Sequence, residues 1–586
     1  MKELQKLNKY FLKYKYRFLI GIIITIASQI FTVFTPQFIG DAINLLQDFL
    51  QGKASAEITR EGLWRNIMLI IGTTMIAGFL TFLMRQTLIV MSRYIEFDLK
   101  NEIYAHYQKL GLDFYKRQRT GDLMSRISED VAKVRQYVGP AVMYSINTII
   151  RMTVVIIQMY IISPKLSWYA LIPVPFLAFV MLKLSRQVNE RSFAYQQNLS
   201  KLSSFSQEIF SGIRVIKAYA LEDRERKAYD QATTESKNKY MKLAFSNALV
   251  GPLMILLIGA SNLLIVYIGA RMFINGEITE IGIIAQFILY INLLTWPIAS
   301  LGWVATMIQE AESSQKRINE FLDETPSIQS TNNTKMPLQG SIVFDSVHFV
   351  YEDTKIHALN NMSFTINKGE TVAFLGKTGS GKSTVLQLIS RLYDVSSGQI
   401  LIDGKNIKDW NVEDLRNQIA VVPQEAFLFS DSIKNNIRFG KEDASQEEIE
   451  HFAKIADVHK NIMRFEQGYD TVLGERGITL SGGQKQRVSI ARALIKDAPV
   501  LLLDDCLSAV DTETEEQILN NLTEISKQKT TLIVTHRVSS AKSADKIIIL
   551  DEGKIVEQGT HDQLINLNGY YANLYKKQLN EKGDNI

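Results

Sequence analysis

The densest chemistry in the sequence lies in Gly376-Lys377-Thr378-Gly379-Ser380-Gly381-Lys382-Ser383. The glycines let successive backbone N–H groups face one anion, and a helix opening at the last residues adds the positive end of its dipole. Lys382 supplies an ammonium for β- and γ-phosphates, the Ser383 hydroxyl a ligand for Mg²⁺, and Thr384 is expected to bind ATP beside them. An apolar strand, Thr371 to Leu375, runs into this loop, and Val385, Leu386, Leu388, Ile389 and Leu392 form a helical stripe after it. Strand, loop and helix in that order make a nucleoside-triphosphate cradle, with ATP and Mg²⁺ as the expected occupants.

About 120 residues later, Val500-Leu501-Leu502-Leu503-Asp504 is an apolar run ending in a carboxylate. It reads as a buried parallel strand whose terminal Asp504 holds Mg²⁺ opposite Ser383. Between the two lies Leu480-Ser481-Gly482-Gly483-Gln484, a second hydroxyl-and-glycine helix opening. One chain needs only one such cradle for its own nucleotide. LSGGQ between a phosphate loop and an apolar strand ending in Asp resembles the signature of the ATP-binding cassette family, and the family implies that this segment caps ATP held by a partner cassette.

Other positions match the same family in order. Tyr351 resembles the aromatic that stacks on adenine, and Gln424, in Val422-Pro423-Gln424, the glutamine that senses Mg²⁺ and the γ-phosphate. Ser508-Ala509-Val510-Asp511 resembles the D-loop, and His536 the switch histidine on the γ-phosphate. Gly474-Glu475-Arg476-Gly477 resembles the exporter segment that touches cytoplasmic loops. The resemblance, to bacterial half-size exporters of multidrug type, implies a dimer that switches between inward- and outward-facing states as two ATPs clamp the cassettes.

One residue departs from the pattern. Most members place Glu directly after the strand-ending Asp, to polarise the attacking water; here stands Asp505. Its carboxylate is retracted by about 1.5 Å, and a displacement of about 1 Å can cost on the order of a hundredfold in rate. The expectation is a site that binds ATP and hydrolyses it slowly, in a chain whose intact LSGGQ completes a competent site on a different partner. Catalytic roles are therefore expected of Asp505, His536 and Gln424, and metal ligation of Ser383, Gln424 and Asp504.

The elements that must position these groups differ between the two halves. From residue 341 to about 575, strand-like and helical segments alternate, as in an α/β domain around a partly parallel sheet. Before it, ETPSIQSTNNTKMPLQ breaks all periodicity and marks a linker, 316–340. The first half holds six apolar stretches long enough to cross a membrane, at about 18–45, 66–91, 140–163, 166–188, 249–274 and 280–304. The expected architecture is a six-helix transmembrane domain of exporter type, 18–315, followed by a P-loop α/β nucleotide-binding domain, 341–575. An interfacial helix, 1–17, precedes it and a polar tail, 576–586, follows.

The loop after the second span carries Arg93, Lys100, Lys109, Lys116, Arg117, Arg119, Arg126, Lys133 and Arg135, whereas the turn after the third has only Lys165. By the positive-inside rule the long loops, the cassette and both termini are cytoplasmic in a multi-pass protein of the cell membrane. The long loops, about 92–139 and 189–248, read as helical, with breaks expected at Thr120-Gly121-Asp122 and Ser211-Gly212. Polar residues inside the spans, among them Gln29, Arg85, Gln86, Asn147, Arg151, Gln158, Asn262, Gln286 and Asn292, are expected to face the bundle interior or a watery path.

A net charge of +4 in 586 residues gives no case for nucleic acid, and one cysteine, Cys506, excludes an intrachain disulfide. The expected partners are the lipid bilayer, small amphipathic substrates and a second half-transporter. Three functions remain open at this point: a heterodimeric exporter of amphipathic drugs or lipids, a homodimeric lipid flippase or peptide exporter, and an ATP-gated channel or receptor.

Overall fold

A computed structural model describes residues 2–330, 332, 334–474, 477, 480–526 and 528–583. It divides into two units, 1–108 with 120–324, and 109–119 with 325–586.

The first unit is helical. Among the described residues six helices are long and apolar enough to cross a membrane: Lys15–Leu50, Ala56–Lys109, Thr120–Ile162, Pro164–Ser211, Glu222–Ile274 and Gly282–Leu322. Each outruns the stretch expected from hydropathy, because only its central part is apolar while the helical backbone continues into charged sequence. At 54 residues the second helix would be about 80 Å long, well beyond the roughly 30 Å hydrocarbon core. Before the first span lie a 3₁₀ turn, Glu3–Leu7, and a short helix, Asn8–Lys13. Lys9 and Lys13 there pair with Glu102 and Asp98 of the second helix.

The first and sixth helices close on each other through small residues and polar bonds. The Gly282 N–H donates to Asn44 Oδ1 at 2.7 Å and the Ile281 N–H to Gln47 Oε1 at 2.9 Å. Tyr290 Oη donates to the Val33 carbonyl at 3.3 Å. A Cβ on Gly40 would collide with Gln286, and one on Gly282 with the Gly40 carbonyl, so glycine permits this approach.

Of the polar residues inside the spans, Gln29 and Gln286 are buried in the bundle interior, while Arg85, Gln86 and Asn292 are exposed on the single chain. Helical phase decides this: Met84 and Leu88 are the buried positions of their helix, and Arg85 and Gln86 lie off that face.

The breaks also shift. Thr120-Gly121-Asp122 is the first turn of a helix, with Asp122 complementing its dipole. The chain breaks at Gln118-Arg119, directly before it, and also earlier, at Gly111, whose backbone is extended and whose missing Cβ makes room for Asp113 and Ser327. A short helix, Leu112–Arg117, follows and belongs to the second unit. Gly212 ends the fourth helix as expected, and Ile213–Ala218 forms the corresponding short helix.

The described residues of the second unit form two sheets. A four-stranded antiparallel sheet pairs β1 (Ile342–Val350), β2 (His357–Ile366), β4 (Ser397–Ile402) and β5 (Lys405–Asn406) in the order β2-β1-β4-β5. A six-stranded sheet runs β10-β9-β3-β8-β7-β6, with β3 at Thr371–Gly376, β6 at Ile419–Val422, β7 at Val500–Asp504, β8 at Thr530–Val534, β9 at Lys546–Asp551 and β10 at Lys554–Gly559. All pairings there are parallel except β9 with β10. β3, β7 and β8 are buried almost throughout, as strands covered on both faces must be. The last helix, Tyr570–Gly583, runs through residue 575, so no separate tail begins there.

Candidate functional site: a nucleotide cradle at the ends of four parallel strands

Neighbouring parallel strands deliver their C-terminal ends to one edge of a sheet, where open α/β sheets bind ligands. Along β3-β8-β7-β6 those ends lead into the phosphate loop, His536, Asp504-Asp505 and Gln424. Strand order thus gathers four segments scattered over more than a hundred residues.

The phosphate loop depends on glycine. Gly376, Gly379 and Gly381 have φ of 151°, 83° and 96°. A Cβ at Gly381 would also strike the Ala358 carbonyl and, at 2.8 Å, the Leu359 side chain. Lys382 opens the helix Lys382–Ile389 and is 5% exposed. Its Nζ donates to the Gly376 carbonyl at 2.9 Å and the Lys377 carbonyl at 2.7 Å. Burial holds its pKa below the ordinary lysine value, against the opposing pull of Asp505 and Asp504. A desolvated ammonium within a turn of backbone amides suits a polyanion.

Ser383 Oγ donates to Asp504 Oδ1 at 2.7 Å. Burial, then the neighbouring Asp505 charge, pushes the Asp504 carboxyl above the ordinary range. One hydroxyl and one carboxylate fit Mg²⁺, which binds through few protein ligands plus phosphate oxygens. No cluster of three or more His, Cys, Asp or Glu able to hold a metal by itself occurs among the described residues.

Asp505 follows directly, with φ +44°, a conformation that Asp adopts more readily than most residues. Its N–H donates to the Val534 carbonyl at 2.8 Å, and its own carbonyl accepts the Ser508 hydroxyl at 2.9 Å. Gln424 Nε2 reaches Asp505 Oδ2 at 3.5 Å. Burial raises the Asp505 pKa, while His536 and then Lys382 favour its charged form. Cys506 beside it is fully enclosed, and burial pushes its thiol up to about 12, which leaves it unreactive.

Tyr351 sits at the edge of the cradle. Its hydroxyl bonds Thr384 Oγ1 and Gln387 Oε1, each at 3.0 Å. Its ring meets Phe349 and Tyr393 edge-on, at 4.8 and 5.5 Å between centroids. The ammonium of Lys116, on the short helix Leu112–Arg117, lies 4.6 Å from its centroid. This cation had no signal in the sequence, since nothing local links residue 116 to residue 351.

The LSGGQ segment is a capping box. The Gln484 N–H donates to Ser481 Oγ at 3.3 Å and the Ser481 N–H to Gln484 Oε1 at 3.0 Å, opening the helix Gly482–Leu494. Leu480 is buried under it. A Cβ on Gly483 would press on the Ala509 carbonyl at 2.8 Å, so glycine lets the D-loop pass. No hydrogen bond joins the described residues of this segment to the phosphate loop of the same chain.

Three residues outside the recognised motifs tie the site together. Gln486 Oε1 accepts the Ala509 N–H at 3.1 Å and its Nε2 donates to Ser508 Oγ at 3.3 Å. Arg537, next to His536, donates to the Val510 and Ser508 carbonyls and pairs with buried Glu515. Glu515 also accepts Ser540 Oγ. Asp511 caps the following helix by accepting the Thr514 N–H at 3.0 Å. Gln486 is two residues past LSGGQ and Arg537 one past His536, which is the only hint the sequence offers. Of the exporter segment Gly474-Glu475-Arg476-Gly477, Glu475 and Arg476 lie outside the described residues.

Two family models match the chain: "ABC transporter transmembrane region" over residues 18–298 and "ABC transporter" over 359–508. The chain is 35% identical over 98% of its length to the "Probable multidrug resistance ABC transporter ATP-binding/permease protein YheI" of Bacillus subtilis (strain 168), covering 97% of that protein. It is 34% identical over 99% of its length to the "Multidrug resistance-like ATP-binding protein MdlA" of Escherichia coli (strain K12), again covering 97%. A solved structure of a bacterial Atm1-family ABC exporter with ATP bound superposes with a TM-score of 0.77 at 26% identity, over 98% of both chains. With six membrane-crossing helices ahead of an ATP-hydrolysing cassette in a single polypeptide, the chain belongs to the ATP-binding cassette transporters, as an exporter-type half-transporter.

Proposed function

We propose that this chain exports amphipathic drugs or lipids across the cell membrane as one subunit of a heterodimer, holding the slow ATP site and lending its LSGGQ segment to the fast one. The observation that carries the asymmetry is Asp505. Its backbone at φ +44° bonds the Val534 carbonyl and the Ser508 hydroxyl, which supports a main chain held in place behind the shorter side chain. A general base must reach its proton before its pKa matters.

The roles follow from position. Lys382, Ser380 and the amides of Gly376 to Thr384 bind and orient the phosphates. Tyr351 holds the base. Ser383, Asp504 and Gln424 would hold Mg²⁺, which when bound neutralises phosphate charge. Asp505 accepts the proton of the attacking water, and His536 steadies the γ-phosphate. Ser481 to Gln484, seated on buried Leu480, face the partner's nucleotide, and Ser508 to Asp511 lie between the two sites. The excess of Lys and Arg in the long loops supports a cytoplasmic cassette and cytoplasmic termini. The names of YheI and MdlA favour drugs as cargo.

The test co-expresses the chain with a candidate partner that has Glu at the position of Asp505. Glu→Gln in the partner is expected to abolish turnover and transport. Asp505→Glu in this chain purified alone is expected to raise its slow turnover at least about tenfold. Brisk turnover by the unmodified chain alone would instead establish a competent homodimer.

A further inference from the structure

The third membrane helix carries an ionic group that the fold leaves electrically unfinished. Arg151 is the tenth of the 21 residues Val142–Ile162, near the middle of the span. Its Nε donates to Gln29 Oε1 of the first helix at 2.7 Å, and Gln29 Nε2 donates to Asn147 Oδ1 at 2.6 Å. Gln29 is 2% exposed, so both ends of its amide are committed to this arrangement. Among the described residues no carboxylate forms an ion pair with Arg151. A guanidinium at that depth is costly, and such cations are otherwise paired or turned to a pathway. A neutral amide oxygen satisfies one of its five N–H donors and none of its charge.

Two turns before Arg151, on the same helical face and about 10 Å along the axis, stands Tyr144. Its ring lies 5.2 Å from that of Trp303 on the sixth helix, and Trp303 is half exposed. A fixed cation and an aromatic pair at this spacing are complementary to a molecule with a negative head and an apolar body.

We infer that Arg151, oriented by Gln29 and Asn147, is the recognition point for the anionic group of an amphipathic substrate, a carboxylate, sulfonate or phosphate, whose body lies against Tyr144 and Trp303. This rests on the exporter reading and narrows it to amphipathic anions. Gln29 is a positioning residue, because its amide fixes one edge of the guanidinium and leaves the terminal nitrogens for the ligand. A bidentate guanidinium–oxyanion pair is directional as well as charged, so arginine at this point selects head-group geometry in addition to sign.

The test uses the full-length transporter, with its partner where one is required, and three fluorescent probes sharing one naphthyl-octyl body and ending in sulfonate, neutral amide or trimethylammonium. Nucleotide-free binding is expected to favour the sulfonate over the trimethylammonium probe at least about tenfold. Arg151→Gln should remove most of that preference and leave the neutral probe's affinity within about twofold, whereas Arg151→Lys should retain the sign preference with weaker binding. Tyr144→Ala should weaken all three alike. Equal affinities for the three probes, or an unchanged preference in Arg151→Gln, overturns the inference. ATP-driven uptake of the same probes into inside-out vesicles separates the two claims. Charge-selective binding with no uptake of any probe overturns the exporter reading and leaves the anion site standing; uptake without charge selectivity does the reverse.

Discussion

Asp505 combines two opposing demands in one side chain. Burial disfavours its charge, yet His536 and Lys382 are placed to favour it, and the net displacement of its pKa is upward. A carboxyl whose pKa is raised on folding stabilises the fold only while protonated, and that contribution is lost as pH rises through the folded value. Asp505→Asn should therefore raise the melting temperature of the nucleotide-free chain at pH 7 to 8. The gain should shrink as pH falls toward the ordinary aspartate value of 3.8 and vanish below it, which melting curves across pH will check. At this scale the sequence was most legible where chemistry is local. The residues from Gly376 to Thr384 act within one loop, so their spacing carries their meaning. Arg151 was visible as a costly residue, but its bond to Gln29 spans 122 positions and no local pattern encodes it. The same holds for Lys116 over Tyr351.

Among elements, the D-loop is held from both sides, by Gln486 on the LSGGQ helix and by Arg537 behind β8. Gln486→Leu would leave the Ala509 N–H without its acceptor, at about 1–2 kcal/mol, and free the D-loop beside Asp505. Phosphate release should then fall about tenfold, with ATP affinity, which rests on the phosphate loop after β3, changed less than about twofold; parallel binding and turnover assays measure both. Existence and type of elements were readable from period: long apolar helices in the first half and buried apolar strands before each loop in the second. Their ends were not. Hydropathy stops where charge begins, whereas the second helix continues to Lys109. Gly121 looked like the breaker, but Gly111 is the glycine whose missing Cβ leaves room for Ser327, a contact invisible in the sequence.

For the whole molecule, the grouping of residues 109–119 with the cassette is the feature with the widest reach. Phe114 on that segment is 3% exposed, and Asp113 accepts the Ser327 hydroxyl at 2.7 Å. Phe114→Ala should leave ATP turnover without substrate within about twofold, because no catalytic group moves, and should abolish its stimulation by transported compounds. Turnover with and without an amphipathic probe checks it. The chain passes from one unit to the other at 108–109, returns at 119–120 and passes again at 324–325. Only the peptide link at 324–325 joins residues 325–586 covalently to the first unit, whereas residues 109–119, continuous with the span helices at both ends, hold them through side-chain contacts such as Asp113 with Ser327 and Lys116 over Tyr351. The second fastening is therefore a clasp and not a weld, and a cassette cut at the linker would be kept by that clasp alone.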